Sequence, residues 1–396
     1  MSTSNSFPRS LLLQPQENRL GYFLSYTVAH PRLIEATDMV LRTIDEPAGA
    51  SFIFVYGPSG IGKTTMLQKV KQTLISQALP TLETDRGCIP VASIEAIGTE
   101  SANFNWKDYF TRSLITMEEP LIEHKVNYGA KGIHRNIEGH LIIEPKVAAP
   151  ELRRALENAL KYRRPKAFLI DEAQHMQKMA SGRRLQDNMD CLKSLANLTG
   201  VIHVLFGTYE LLTFRNLSAQ LSRRTVDIHF PRYQTNVSED IDIFKSILWS
   251  FQQHIPLHEE PDLLTNWEYC YVGSLGCVGI LKNWLLRSFK DVLAEGGNTL
   301  SLKHLEQRNM SVAQLQTMLK EIQEGEKQLK ESAENYKQLY NALGFEGESP
   351  IHSNYCFSDK PNQPKEEIPN PSKRKQSVGK RNPKRDQVGG INYNAN

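Results

Sequence analysis

Between Phe52 and Thr65 the chain reads as an apolar, β-rich run followed by Gly57-Pro58-Ser59-Gly60-Ile61-Gly62-Lys63-Thr64-Thr65 and then a helix-forming stretch. The spacing GxxxxGK[ST] is satisfied in full, and it dictates a local architecture of strand, tight loop and helix. Glycines let successive backbone N–H groups curl around a β-phosphate. Lys63 then reaches the β and γ oxygens, and the Thr64 hydroxyl ligates Mg²⁺ at a helix N-terminus whose dipole favours anions. The first ligand expected is therefore a nucleoside triphosphate with Mg²⁺.

A chain of 396 residues holds about two or three compact units. Its apolar runs are strand-sized, well short of the ~20 residues that span a bilayer, so no membrane segment is expected. The opening Met1 to Leu13 is too polar for a secretory signal, which makes the expected location cytoplasmic. Cys88, Cys191, Cys270, Cys277 and Cys356 are scattered without ligand spacing, a pattern of reduced thiols with no zinc.

Residues 1–30 form an N-terminal segment ending at His30-Pro31-Arg32, followed by a helical pattern through Leu33, Ala36, Met39, Val40 and Ile44. Strand-like runs at 52–56, 89–94, 167–170, 201–206 and 225–230 alternate with helical stretches at 62–78, 104–117, 150–162, 185–198 and 209–222. The alternation implies an α/β domain over 31–232, a parallel sheet flanked by helices on both faces. Residues 121–149 interrupt it as an inserted loop or hairpin. Beyond Pro231 the periodicity is helical only: a small all-helical lid over 233–300 and a helical extension over 301–345. From 346 to 396 apolar periodicity is lost and basic residues accumulate, a composition expected to stay disordered.

The strand Ala167 to Ile170 delivers Asp171-Glu172 at its C-terminal end, a Walker B pattern. Asp171 is suited to supporting Mg²⁺ and Glu172 to polarising the water that attacks the γ-phosphate, which favours hydrolysis over transfer to a second substrate. Thr208, ending the run Val204 to Gly207, can orient the same water if its strand lies between the P-loop and Walker B strands. Arg223 and Arg224 read either as a solvated helix end or as an arginine finger projected into a neighbouring subunit. Lys282, one turn into the helix after Gly276-Cys277-Val278-Gly279, is either an exposed lysine or a γ-phosphate contact. His30 and Arg32 either line an adenine pocket or form a turn before a helix.

Taken together, Gly57 to Thr64, Leu169 to His175, Leu205 to Thr208, Gln220 to Arg224 and Gly276 to Leu285 resemble the TnsC/TniB group of AAA+ ATPases. The resemblance covers about residues 25–325. It implies a P-loop AAA+ fold and ATP-dependent assembly of the protein with itself, as a ring or helical filament, on double-stranded DNA. It also implies one contact with a target-selection protein, such as a CRISPR effector adaptor, and another with transposase subunits. In this group the DNA is tracked by basic residues on pore-facing loops; the matching positions here are Lys107, Arg112, Lys125, Lys131 and Arg135. Trp106 and Tyr109, interleaved with them, read as helix core rather than base-stacking platforms. The basic run Lys373-Arg374-Lys375, Lys380-Arg381 and Lys384-Arg385 is a DNA arm, a docking peptide or a solubilising tail. The rival functions are a helicase loader, a secretion-associated ATPase, and a nucleotide-held scaffold with negligible turnover.

Overall fold

The computed structural model describes residues 6–98, 104–117, 133–135, 141–143, 149–177, 183–215, 217, 219–329 and 333–344. Its strands are β1 (Phe52–Tyr56), β2 (Val91–Glu95), β3 (Ile133–Arg135), β4 (Leu141–Ile143), β5 (Ala167–Asp171), β6 (Ile202–Gly207) and β7 (Thr225–His229). β2, β5, β6, β1 and β7 lie in that spatial order in one sheet, and every pairing within it is parallel. β3 and β4 pair antiparallel on their own, within the span 121–149 expected as an inserted loop or hairpin.

All five residues of β1 are buried, because helices cover both faces of the sheet. The strand alternation sorts them: Phe52, Phe54 and Tyr56 face one layer, Ile53 and Val55 the other. The first layer is built by helices Trp106–Thr116, Ala149–Arg163 and Arg183–Thr199, through residues such as Phe110, Leu114, Leu152, Leu156, Leu192 and Leu195. Trp106 and Tyr109 belong to this core; the Trp106 indole N–H donates to Asn188 Oδ1 at 3.0 Å. The second layer is built by helices Pro31–Asp45 and Lys63–Thr84, through Leu33, Val40, Met66, Val70 and Leu74. Met39, grouped by periodicity with the buried face of its helix, is instead 43% exposed. The sequence stretch 209–222 does not form one helix: it breaks into the 3₁₀ turn Tyr209–Leu211 and the short helices Leu212–Arg215 and Ala219–Ser222.

Helices Ser238–His254, Trp267–Ser274, Val278–Ala294 and Leu302–Arg308 share a third core around Phe244, Leu248, Phe251, Cys270, Trp284, Phe289 and Leu305. The N-terminal helix Gln16–Ser25, which the sequence sets apart, packs into this same core. Phe23 meets Phe251 and Phe289 edge-on at ring separations of 6.1 and 5.8 Å. The Arg19 guanidinium fixes that helix by donating to the Pro256 carbonyl at 3.0 and 2.6 Å. No helix among the described residues is long and apolar enough to cross a membrane.

Helix Val312–Leu329 returns to the sheet domain, burying Leu315 and Ile322 in the second layer. Arg232 holds it with two hydrogen bonds to Glu326, 2.9 and 3.3 Å long. Gly325 lies against the Tyr209 ring so closely that a Cβ would stand 2.2 Å from ring carbons. A Gly325→Ala substitution would gain about 1 kcal/mol of helix propensity. Overpacking costs typically 1–3 kcal/mol, so the variant is expected to be less stable by up to about 2 kcal/mol. A urea midpoint unchanged or raised would show that the Tyr209 contact yields freely. A second unit begins after Leu329, of which the helix Ala333–Ala342 is described; the tail 346–396 lies outside the described residues.

Candidate nucleotide site

β1 is followed by Gly57, where a Cβ would sit 2.2 Å from the Phe230 carbonyl oxygen, so no side chain fits beside the chain leaving β7. Gly60 and Gly62 take φ of +71° and +117°, the left-handed region open to glycine, and Gly62 caps helix Lys63–Thr84. The lid helix Val278–Ala294 abuts this loop: a Cβ on Gly279 would be 2.4 Å from the Gly60 carbonyl oxygen. Lys63 is buried and donates to the Gly57 and Pro58 carbonyls at 3.0 and 2.8 Å. Burial pulls its ammonium down to about 8, against the upward pull of the Glu172 and Asp171 carboxylates.

The Thr64 hydroxyl donates to Asp171 Oδ2 at 2.8 Å across 107 residues of sequence. A hydroxyl oxygen and a carboxylate oxygen converging at a helix N-terminus are the hard donors that Mg²⁺ takes, the remaining positions being filled by phosphate and water. Burial raises the Asp171 carboxyl above its ordinary range, a cost that a bound cation would remove. The residues present thus fit the ion.

Because β6 pairs with both β1 and β5, the ends of all three strands line one edge of the sheet, with Tyr56 opposite Gly207 and Ile170 opposite Leu205. The condition set for Thr208 is met. Glu172 adopts φ of +50°, and its N–H donates to Asp171 Oδ1 at 3.0 Å. The buried Gln174 side chain, which sequence reasoning passed over, joins the two strands. Its amide group donates to the Glu172 carboxylate, and its oxygen accepts the Thr208 N–H at 3.2 Å. The Thr208 hydroxyl is buried and makes no hydrogen bond among the described residues. The sequence signal for Gln174 was its place in the run Leu169 to His175, two residues after Glu172, which assigned it no role.

Of the remaining candidates, His30, Arg32, Lys282 and Arg224 are engaged elsewhere. His30 caps helix Pro31–Asp45: its Nδ1 accepts from Leu33 N at 3.4 Å and lies 2.9 Å from the Tyr233 hydroxyl. Its ring stacks on Phe230 at 6.0 Å. Arg32 Nη2 donates to both carboxylate oxygens of Asp240 at 2.7 and 2.8 Å, and the guanidinium lies 4.6 Å above the Tyr233 ring. Lys282 donates to the Leu24 carbonyl at 2.8 Å rather than to the P-loop. The Arg224 carbonyl accepts from Ser51 N and Phe52 N, which sets the Arg223-Arg224 pair at the end of the sheet opposite the P-loop. β1, about 17 Å long, lies between them. Arg224 also donates to Asn197, whereas the Arg223 side chain is exposed. Of the DNA candidates, Lys107 and Arg112 lie on helix Trp106–Thr116, and Arg112 is paired with Asp108 at 2.8 Å. Arg135 lies on β3; Lys125 and Lys131 lie outside the described residues.

Residues 45–214 match the family described as AAA domain. None of the curated proteins matches the chain. Among solved structures, the Aeropyrum pernix ORC2 protein in its ADPNP–ADP complexes is 17% identical, covering 73% of this chain and 71% of that one with a TM-score of 0.47. The Aeropyrum pernix ORC1 protein in complex with DNA is 15% identical over 87% and 85%, with a TM-score of 0.48. A Walker-type ATPase of Pyrococcus abyssi is 14% identical over 74% and 75%, with a TM-score of 0.43. With its parallel five-stranded sheet, P-loop and helical C-terminal region, the chain has the AAA+ α/β fold and carries a P-loop NTPase domain.

Proposed function

We propose that this protein hydrolyses ATP with Mg²⁺ and acts as an ATP-gated regulator of DNA transposition. It would assemble on duplex DNA, link a target-selection protein to the transposase, and come apart on hydrolysis. The observation that carries the ATPase reading is the meeting of Thr64, Asp171, Glu172 and Thr208 at one edge of the sheet, beside Lys63. In this reading Lys63 and the loop amides hold the phosphates, Thr64 and Asp171 hold the metal, and Glu172 draws a proton from the attacking water while Thr208 orients it. Arg223 completes a neighbour's site and Arg224 braces it, since Arg223 is exposed, Arg224 is held by Asn197, and both lie far from their own P-loop. The transposition role rests on the resemblance to the TnsC/TniB group. ATP bridging two subunits makes assembly favourable and hydrolysis a release step.

Negative-stain electron microscopy with plasmid DNA tests the whole reading. With a non-hydrolysable ATP analogue, rings or filaments are expected on DNA. They should be lost in Arg223→Ala and, through the steep salt dependence of phosphate contacts, at raised ionic strength. A scrambled duplex should bind as well as the original. Monomers that ignore both ligands would move the assignment to the helicase-loader or secretion class.

A further inference from the structure

We infer that Gln174 is a positioning residue for hydrolysis: its one side-chain amide ties the Glu172 carboxylate to the Thr208 turn, so that base and hydroxyl face a single water. The inference rests on the ATPase reading above. A primary amide has a donating end and an accepting end, and here both are used on groups that belong to different strands. The NH₂ end meets Glu172 Oε2 after β5, and the oxygen meets the Thr208 N–H after β6. Gln174 is only 4% exposed, so water cannot take over either bond if the side chain is lost.

The backbone around it is shaped to the amide. A Cβ at Gly207 would stand 2.4 Å from Gln174 Oε1 and under 3 Å from the Leu211 side chain, so β6 is bare where the amide passes. Glu172 Oε1 makes no hydrogen bond among the described residues, which leaves that oxygen open to a water. The Thr208 hydroxyl is buried and has no partner among the described residues, a polar group left to bond a water admitted at the site. Glu172 is held in the left-handed region at φ +50°, an uncommon conformation for a non-glycine residue. The bond to Gln174 helps determine where its side chain goes.

The test compares single-turnover rates, KM and the affinity for a fluorescent ATP analogue in wild type, Glu172→Gln, Gln174→Leu and the double variant. Gln174→Leu keeps the volume but neither bond. It should slow turnover about 10- to 100-fold, the cost of a misplaced catalytic group. KM and analogue affinity should stay within about threefold. Because Gln174 acts through Glu172, the double variant should be no slower than Glu172→Gln alone, a coupling that a loss of fold would not produce. Gly207→Ala reaches the amide from the other strand and should give the same kinetic pattern, so the inference stays testable if Gln174→Leu fails to fold. Wild-type turnover in Gln174→Leu, or a double variant markedly slower than Glu172→Gln, overturns the inference and leaves the ATPase reading standing when Glu172→Gln is inactive. A wild-type protein that binds the analogue but does not turn over ATP overturns both.

Discussion

Glu172→Gln is expected to lower ATP turnover by about 10²- to 10⁴-fold, the range set by loss of a positioned general base. That corresponds to roughly 3–5 kcal/mol of barrier. Nucleotide affinity should change little, because Lys63, Thr64 and Asp171, the groups proposed to hold phosphate and metal, are untouched. A glutamine also keeps the shape of the glutamate, so the fold is not disturbed. The physical consequence is a protein that binds ATP and stays assembled: with ATP alone, the variant should form the structures that wild type forms only with a non-hydrolysable analogue. Single-turnover hydrolysis and microscopy on the same preparation decide it. Turnover at the wild-type rate would remove Glu172 from the chemistry, and unchanged assembly in ATP would favour a scaffold that does not depend on hydrolysis.

The second large effect is acid destabilisation. His30, His203 and His229 are each pushed down to about 4, chiefly by burial. His203 is the clearest case: wholly enclosed between the Phe52 and Phe168 rings, 5.9 and 5.5 Å away, with Nδ1 2.9 Å from the Val201 carbonyl. The folded pKa lies below the unfolded value of about 6.5. The unfolded chain therefore takes up protons that the folded chain refuses as the pH falls below 6.5. Stability present above pH 6.5 is lost progressively and is gone by about pH 4. For His203 alone the loss approaches ~3 kcal/mol, about 1.4 kcal/mol per pKa unit. Urea midpoints should drop steeply between pH 7 and 4.5, and His203→Phe should flatten part of that slope. A slope unaltered by the substitution would mean the proton is taken up elsewhere.

Much of the site was legible because its signals are local. The run from Gly57 to Thr65 carries its own backbone geometry, and Asp171-Glu172 follows a strand whose apolar residues announce its burial. The alternation of strands and helices likewise anticipated the layers, since side-chain period depends only on neighbours in sequence. Where periodicity was the sole guide it erred in detail, as at Met39, which lies at the edge of its helix's buried stripe and stays exposed.

What the sequence by itself determined is the phosphate loop, the acidic pair and the class of the sheet, because each follows from residues a few positions apart. Only the tertiary structure decided that β6 separates β1 from β5, and that Gln174 spans from Glu172 to Thr208. It alone engaged Arg32 with Asp240, drew Phe23 into the lid core and set Gly325 on Tyr209. These are contacts between segments tens to hundreds of residues apart. A side chain states what it can bond, and the packing of the rest of the chain selects which of many equally suitable partners is within reach.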